Sequence, residues 1–402
     1  MKDKKLLELK HQAWLELNNH ILPFWLNMAD REKGGFYGRM DGNNNLLPDS
    51  PRGGILNARI LWTFSSAYNL LKDSNYREAA EHSAAYILQH FFDKDFGGTF
   101  WSLNADGSPL DTKKQVYSQA FFIYALVEYY MATGEKDILE MAITLFHLIE
   151  KHSFDEVGNG YLEAFDQQWN LLDDLRLSEK DANEKKTMNT HLHILEAYTN
   201  LYRAWKNPLL EKQLHNLINL FLDHFISSHS NHLVLFFNDT WSSKYDITSY
   251  GHDIECSWLL YEAALVLNRP GFTEKVGERC LMVANAVQDG LQSDGSIIYE
   301  KDNASGHIDS DRHWWPQSEA VVGFFNAWEL SKDQEYLKKA MHCFDFIQTR
   351  LVDPENGEWY WSIRADGSIN RDDDKAGFWK CPYHNSRMCI ELIRRISELT
   401  GV

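Results

Sequence analysis

The sequence is poor in cysteine, in basic charge and in long apolar runs. Its five cysteines in 402 residues include no Cys-x-x-Cys pair, so we expect reduced thiols and a cytoplasmic protein. Asp and Glu outnumber Lys and Arg by 58 to 40, which argues against a nucleic acid partner because binding phosphates requires clustered cations. No apolar run approaches the roughly 20 residues that cross a bilayer, and the N-terminal stretch lacks the apolar core of a signal peptide. We therefore expect no membrane partner either.

Motifs for nucleotide or metal cofactors are also missing. No glycine-rich stretch runs into Lys-Ser or Lys-Thr, as a phosphate-binding loop requires, and there is no His-Glu-x-x-His motif or cysteine cluster. The pair His191 and His193 has the spacing of metal ligands on a strand. It lies in a stretch with helical periodicity, however, where residues two apart point in different directions. We therefore expect no cofactor and no metal ion.

What the sequence has in abundance is aromatic residues and a regular alternation of apolar stretches with polar turns. It contains 14 Trp, 18 Tyr and 22 Phe, and we do not expect all of them to serve packing alone. The turns recur at Asp73, Gly134, Asn207, Pro270 and Asp333, at intervals of 61 to 73 residues. Between them, apolar residues recur at the i, i+3, i+4 and i+7 spacing of helices. Twelve helices are predicted, over residues 4–20, 55–72, 76–91, 114–133, 136–151, 187–205, 208–227, 251–268, 271–289, 314–331, 334–350 and 379–399.

These helices are predicted to form six antiparallel pairs. Short turns join the two helices of a pair and long loops join one pair to the next, which is the connectivity of an all-α (α/α)6 barrel. The even-numbered helices are the more apolar, so we expect them to form the inner ring. Their N-termini would then share one face of the barrel with the long loops. We expect a single catalytic domain over residues 1–402, and a monomer.

The long loops combine glycine with aromatic residues. Residues 101–108 and 361–368 are near-copies, in which aromatic and polar residues precede an Asp-Gly turn. This pattern predicts short β-hairpins in the loops on the active-site face. Residues 178–186, with the sequence SEKDANEKK, are so polar that we expect a loop surrounded by solvent.

Polar and aromatic residues recur near the starts of the predicted inner helices. From Arg59 onward, the spacing from one helix start to the next is 58 to 76 residues, close to the repeat period. Residues at equivalent places in a ring converge on its axis, so we take this group as the candidate site. Its members are Arg59, Tyr117, Asn189, His193, His252, Glu255, Trp314, Trp315, Glu319, Trp379 and His384.

Each of these residues also has a purely structural explanation. A single histidine near a helix start is more often a cap or a packed residue than a catalyst, but His193, His252 and His384 occupy equivalent places in three repeats. Trp314 and Trp315 could be core residues, although two adjacent helical residues cannot face the same way. The two glutamates lie within apolar helices, where a buried carboxylate needs a partner such as histidine or arginine.

An acidic cavity rimmed by aromatic residues suits a sugar, because aromatic faces stack on pyranose rings and carboxylates accept hydrogen bonds from hydroxyls. One fitting reaction is glycoside hydrolysis, which needs two carboxylates such as Glu255 and Glu319. The other is proton abstraction beside a carbonyl, which needs a base that titrates near neutral pH and a cation to hold the enediolate. Three histidines with Arg59 favour the second reaction, an epimerisation or isomerisation. A sugar-binding protein without activity is a third possibility.

Five segments carry a resemblance to a known family: residues 57–65 (NARILWTFS), 189–198 (NTHLHILEAY), 251–255 (GHDIE), 313–319 (HWWPQSE) and 378–385 (FWKCPYHN). Through them the chain resembles the N-acylglucosamine 2-epimerase superfamily, and within it the epimerases of β-1,4-linked disaccharides. The resemblance runs almost from end to end. It implies an (α/α)6 fold, no cofactor, and a disaccharide substrate whose reducing-end sugar changes between the glucose and mannose configurations.

The resemblance also implies a reaction through the open-chain sugar. One histidine would remove the C2 proton to give a cis-enediolate, and another on the opposite face would return a proton. His252 and His384 are the implied pair, His193 would assist ring opening, Arg59 would hold the oxyanion, and Glu255 would orient a histidine. Monosaccharide epimerases and aldose–ketose isomerases of the superfamily remain alternatives, since an isomerase differs in returning the proton to C1. The implied sugar-binding residues are Tyr117, Asn189, Trp314, Trp315, Glu319 and Trp379.

Overall fold

Thirteen α-helical segments carry the chain around a barrel in the computed structural model, which describes residues 2–401. They are α1 (Lys2–Glu16), α2 (Leu22–Asn27), α3 (Gly54–Leu71), α4 (Ser74–His90), α5 (Val116–Thr133), α6 (Lys136–His152), α7 (Met188–Ala204), α8 (Pro208–Leu220), α9 (Tyr250–Leu267), α10 (Pro270–Ala286), α11 (Trp314–Ser331), α12 (Gln334–Phe346) and α13 (Tyr383–Thr400). A π-helical turn joins α1 to α2 in one continuous rod, so the barrel has twelve helical rods.

The helices form two concentric rings. In the inner ring, α3, α5, α7, α9, α11 and α13 each contact the next helix, and α13 contacts α3 to close the circle. The outer helices α4, α6, α8, α10 and α12 each pack against the inner helix that precedes them, and α1 packs against α13. The predicted (α/α)6 barrel, with the more apolar helices inside, is confirmed. Within residues 2–401, no helix is long and apolar enough to cross a membrane.

Two predicted helix boundaries are wrong by several residues, and both lie near a proline. The first helix, predicted over 4–20, continues through α2, and Pro23 does not end it because it lies in the first turn of that segment, where a missing N–H is tolerated. The last helix, predicted over 379–399, begins only at α13 because Pro382 disfavours a helical conformation in the residue before it. Trp379 therefore lies in the loop that precedes α13.

Short strands lie among the long loops, and those of the described residues are all antiparallel. They are β1 (Arg52–Gly53), β2 (Ser102–Leu103), β3 (Pro109–Asp111), β4 (Lys114–Gln115), β5 (Ala164–Phe165), β6 (Lys186–Thr187), β7 (Phe236–Phe237), β8 (Ile247–Ser249), β9 (Glu300–Asp302), β10 (Ile308–Asp309), β11 (Arg312–His313) and β12 (Ser362–Ile363). Strands β2 and β3 form the hairpin predicted at residues 101–108. Its near-copy forms a single bridge, between Ile363 and Ile369.

Pairing between loops is the part of the strand pattern that the sequence did not indicate. Each of the strands β1, β4, β6, β8 and β11 immediately precedes an inner helix, and each pairs with a strand in the next long loop. The start of every one of these five inner helices is thus tied to the neighbouring helix pair. This arrangement surrounds the open end of the barrel with a belt of backbone hydrogen bonds.

Buried ion pairs support the same end of the barrel. In three successive helix pairs, an aspartate beyond the outer helix binds the cation that stands two residues before the next inner helix. The pairs are Arg52 with Asp30 at 2.5 Å, Lys114 with Asp93 at 2.8 Å, and Lys186 with Asp155 at 2.9 Å. Before α9 the equivalent places hold Ser227 and Thr248. Ser227 takes the place of the aspartate, because it follows Ile226, which forms an isolated β-bridge. Each of the three aspartates likewise follows a residue that forms such a bridge.

Candidate active site

A cavity of about 460 Å³ opens where the long loops meet the starts of the inner helices. It is lined from all six inner helices and from the loops above them. Ten of the eleven candidate residues line it, and the eleventh, Glu319, lies behind the ring of His384. The ten are Arg59, Tyr117, Asn189, His193, His252, Glu255, Trp314, Trp315, Trp379 and His384.

His384 is the second residue of α13, and its ring is held by a carboxylate from α11. Its Nδ1 lies 2.7 Å from Glu319 Oε1, and Trp258 Nε1 donates to the other oxygen of that carboxylate at 3.0 Å. Burial, together with the charge of Arg59, lowers the pKa of His384 well below the ordinary value of 6.5. Burial also raises the pKa of Glu319. The imidazole at this place is therefore neutral near pH 7.

His193 is held in the same way by its own helix. Its Nδ1 lies 2.9 Å from Glu196 Oε2, because residues three apart on α7 share a face. The ring packs edge-on against Tyr117, with 4.9 Å between ring centroids. Burial lowers the pKa of His193, although the hydrogen bond to Glu196 opposes that shift. Glu196 was not among the candidate residues.

His252 differs from the other two imidazoles because its partner is a hydroxyl. Its Nδ1 lies 2.8 Å from Ser249 Oγ, just before the start of α9. Burial lowers the pKa of His252 to about 3. The ring centroid of Trp315 lies 4.7 Å from that of His252 and 5.5 Å from that of His384. These two imidazoles therefore border a common cavity and a common aromatic ring.

Arg59 brings positive charge to the cavity from α3. Its guanidinium donates to the Tyr117 hydroxyl at 2.9 Å and lies over the rings of Phe121 and Tyr383, 4.1 and 4.6 Å from their centroids. Among the described residues it forms no ion pair with a carboxylate. Its charge is thus available to a negative group that develops in the cavity.

Glu255 lies one helical turn after His252 and is bound by Arg387, a second residue that sequence reasoning missed. Arg387 Nη2 donates to Glu255 Oε1 at 2.6 Å. Burial and then the negative charge of Glu319 raise the pKa of Glu255 to about 8. The argument that a buried charge needs a partner could have selected Arg387 too, since it stands three residues after His384 in an amphipathic helix.

The polar loop before α7 departs from its prediction in part. Residues 178–186 were expected to be surrounded by solvent, and Glu179, Lys180, Asn183 and Lys185 are exposed. Ser178 through Asp181, however, line the cavity, and Lys186 is buried in its ion pair. The turn is closed because the Ser178 backbone N–H and hydroxyl donate to Asp181 Oδ2 at 2.9 and 2.8 Å. Composition alone cannot reveal that such a loop folds over a cavity. Other lining residues that the sequence did not single out are Leu177, Tyr299, His313 and Trp361.

Two groups among the described residues have the ligand types of a metal site. Glu255, Glu319 and His384 form one, but Arg387 Nη2 already binds both of its carboxylates, at 2.6 and 2.7 Å. A guanidinium thus supplies there the charge that a cation would bring. The other group stands at the cavity rim and consists of Asp309, Asp311 and His313.

Comparison with known proteins agrees with this architecture. A model of the family described as N-acylglucosamine 2-epimerase (GlcNAc 2-epimerase) matches residues 35–387. The chain belongs to this family. As a member it is a carbohydrate epimerase by class, and the superfamily resemblance read from the five sequence segments is confirmed.

Individual members of the family are similar over nearly their whole length. A cellobiose 2-epimerase from Bacteroides fragilis is 55% identical over 386 residues, which are 96% of this chain and 98% of that protein. One from Ruminococcus albus is 40% identical over 94% of this chain and 97% of its own length. The structure of a cellobiose 2-epimerase from Bacillus thermoamylovorans superposes with a TM-score of 0.93 at 42% identity, covering 96% of this chain and 99% of that one.

Proposed function

We propose that this epimerase inverts C2 of the reducing-end sugar of β-1,4-linked disaccharides, converting cellobiose to glucosyl-mannose and lactose to epilactose. The observation that carries the proposal is that His252 and His384 lie against the same Trp315 ring in one cavity. Two imidazoles on one cavity can serve opposite faces of one sugar carbon, which is what inversion requires. The relatives named cellobiose 2-epimerase support this substrate. We also propose that the whole chain acts as one catalytic domain.

The reaction begins when the pyranose ring opens. His193 takes the proton from the O1 hydroxyl and, as the C1–O5 bond breaks to give the aldehyde, returns that proton to O5. A neutral imidazole is needed as the accepting base, and burial keeps His193 in that state. The hydrogen bond between its Nδ1 and Glu196 stabilises the imidazolium that forms.

Proton transfer at C2 then passes between His252 and His384. One imidazole takes the C2 proton, the bonding electrons form the C1–C2 double bond, and the negative charge moves to O1. Arg59 stabilises that oxyanion, and such a preorganised donor contributes on the order of 3–4 kcal/mol. The charge of the enediolate favours protonation of the other imidazole, which takes up a proton from water and, after the C2–O2 end reorients, donates it to the opposite face. Exchange with water restores the starting protonation of both rings.

The sugar is held by the aromatic and amide groups of the cavity. Trp315 and Trp379 provide faces on which the pyranose rings stack, and Trp314 lines the same cavity. Asn189 Oδ1 is buried with no hydrogen-bond partner among the described residues, so it is available to accept from a sugar hydroxyl. The Tyr117 hydroxyl, which accepts from Arg59, can donate to the sugar.

Glycoside hydrolysis fits this cavity less well. Its two carboxylates would be Glu255 and Glu319, which must flank the scissile bond from opposite sides. Both instead accept from the same nitrogen, Nη2 of Arg387, at 2.6 and 2.7 Å. They therefore lie side by side on one wall, and Glu319 stands behind His384 rather than in the cavity lining.

The deciding experiment is NMR of cellobiose incubated in D2O with protein that has been dialysed against EDTA. We expect glucosyl-mannose with deuterium at C2, because the returned proton comes from an imidazole that exchanges with solvent. His252→Asn and His384→Asn should each reduce the rate by at least about 1000-fold. His215→Asn, on the outer helix α8, is the matched control and should retain the wild-type rate.

The products separate the alternatives. Free glucose would identify a hydrolase, and a keto-sugar with deuterium at C1 would identify an aldose–ketose isomerase. Either product in place of the C2 epimer would overturn the proposal. Full activity in both histidine variants would overturn the two-face mechanism even if the epimer were formed.

A further inference from the structure

Arg387 is the hub of a buried charge cluster that lies beneath the cavity. Its side chain is about 2% exposed. Nη2 donates to Glu255 at 2.6 Å and to Glu319 at 2.7 Å, while Nη1 donates to Glu196 and to the Tyr383 hydroxyl. One guanidinium therefore binds carboxylates from three different inner helices, α7, α9 and α11.

Two of these carboxylates hold imidazoles that line the cavity. Glu319 Oε1 is 2.7 Å from the Nδ1 of His384, and Glu196 Oε2 is 2.9 Å from the Nδ1 of His193. Both imidazoles are thus connected to Arg387 through one intervening carboxylate each. His252 stands outside this network, since its Nδ1 partner is a serine hydroxyl.

We propose that Arg387 is a positioning residue for His193 and His384. By binding the two carboxylates, it keeps both imidazoles in the tautomer that has the proton on Nδ1 and leaves Nε2 free as the base. The role is deduced for the epimerase reaction proposed above and so rests on it. Arg387 does not line the cavity, and it acts through the carboxylates rather than on the sugar.

The charge balance of the cluster explains why the guanidinium is needed. The titratable groups bound to it are Glu196 from α7, Glu255 from α9, Glu319 from α11 and Tyr383 from its own helix. Its charge also acts on Tyr124 from α5, His193 from α7 and His384 from its own helix. Burial opposes ionisation of Glu196, yet the charge of Arg387 and the bond from His193 lower its pKa to about 2. The pKa of Glu255 is already raised to about 8. Without the guanidinium, the Glu196 and Glu319 carboxylates beside it would remain in a site of low polarity and would take up protons too.

A protonated carboxyl group would change the state of the imidazole beside it. An ionised carboxylate only accepts hydrogen bonds, so it selects the tautomer with a proton on Nδ1. A carboxylic acid can instead donate to Nδ1, which moves the ring proton to Nε2. An imidazole with its proton on Nε2 cannot take a proton from the sugar, and the wrong tautomer at a catalytic triad costs about 10⁴-fold in kcat.

The test reads the tautomers directly, by ¹⁵N NMR of histidine-labelled protein without substrate. Signals are assigned with His193→Asn and His384→Asn. In the wild type we expect both rings to carry the proton on Nδ1. Arg387→Met should shift both signals toward the Nε2–H form, and Arg387→Lys should do so partly, because one ammonium cannot reach all three carboxylates.

Matched variants separate positioning from general damage. Arg395→Met removes another arginine of α13, about 11% exposed, which binds Glu329 at 2.8 Å and Glu391 at 2.7 Å, and it should leave both signals unchanged. Glu319→Gln should change His384 alone, and Glu196→Gln should change His193 alone. These two glutamine variants also test the connection if Arg387→Met fails to fold.

Activity provides the second readout. In Arg387→Lys we expect kcat on cellobiose to fall by at least about 100-fold with KM little changed, and the acid limb of the pH–rate profile to move to higher pH. Unchanged tautomers in both Arg387 variants, or an Nε2–H ring in the wild type, would overturn the inference. If the tautomers shift as expected but the wild type forms no epimer, the proposed reaction fails while this role of Arg387 stands.

Discussion

Replacing Gly251 by alanine tests whether the wall that faces both imidazoles is fixed. Gly251 immediately precedes His252 in α9, and its Cα faces the ring of Trp315. A Cβ added there would stand 2.5 Å from Trp315 Cη2, 2.7 Å from Cζ3 and 2.9 Å from Pro316 Cγ. Ordinary contacts begin at 3.4 Å, so the ring must move by the difference, 0.9 Å.

This displacement predicts a specific loss. The Trp315 ring contacts His252 and His384, and a misplacement of about 1 Å near reacting groups can cost about 100-fold in rate. We therefore expect kcat/KM on cellobiose to fall by about two orders of magnitude, while overpacking costs about 1–3 kcal/mol of stability. The assay combines steady-state kinetics with urea unfolding.

Two further variants make the result decisive. Gly271→Ala, in the first turn of α10, adds a Cβ with no atom within 4 Å and should keep wild-type kinetics. Gly251→Ala combined with Trp315→Phe removes the two ring atoms that clash and should recover part of the activity lost in Gly251→Ala. Wild-type kcat/KM in Gly251→Ala alone would refute the reasoning, because the wall would then be free to move without consequence.

Three other predictions concern the cluster, the far end of the barrel and metal ions. Glu319→Gln should lower kcat about 100-fold with little change in KM in steady-state kinetics, because it loses the carboxylate that holds His384. Burial opposes ionisation of Glu391, but Arg394 and Arg395 lower its pKa from 4.5 to about 2, so its stabilisation is present above pH 4.5 and lost as the pH falls through 2. Glu391→Gln should therefore cost on the order of 3 kcal/mol in urea unfolding at pH 7 and much less at pH 2.5, and an equal cost at both would contradict this. Dialysis against EDTA should leave the epimerisation rate unchanged, and a loss restored by a divalent ion would contradict the metal-free mechanism.

The fold could be predicted from the sequence because the helical periodicity of apolar residues and the polar turns between helices repeat together. Inner and outer helices differ in how much of their surface is apolar, and polar turns such as those at Gly134 and Asn207 mark one end of each pair. Helix ends were less predictable where proline acts, as at Pro382, which leaves Trp379 in a loop. The repeat does not determine such local exceptions.

The repeat period predicted the candidate site only for residues near the starts of the inner helices. Residues at equivalent helix starts, such as His252 and His384, were found because their spacing follows the ring. Glu196 and Arg387 were missed because their pairing joins residues 191 positions apart and leaves no pattern in the local sequence. The loop at residues 178–186 was missed for a different reason, since its polar composition fits solvent as well as it fits a cavity that binds hydroxyl groups.

Before α9, the hydroxyl residues Ser227 and Thr248 take the two places that an aspartate and a cation hold before α3, α5 and α7. Where Asp30, Asp93 and Asp155 bind their cations, separating the start of the inner helix from the preceding helix pair would leave buried charges unpaired. The loss of such a pair typically costs about 3–5 kcal/mol of stability. Serine and threonine can exchange their contacts for water at far lower cost. The start of the helix that carries His252 is instead joined to the preceding helix pair through His232 and Asp253, 2.7 Å apart, an ion pair whose charge depends on the protonation of an imidazole.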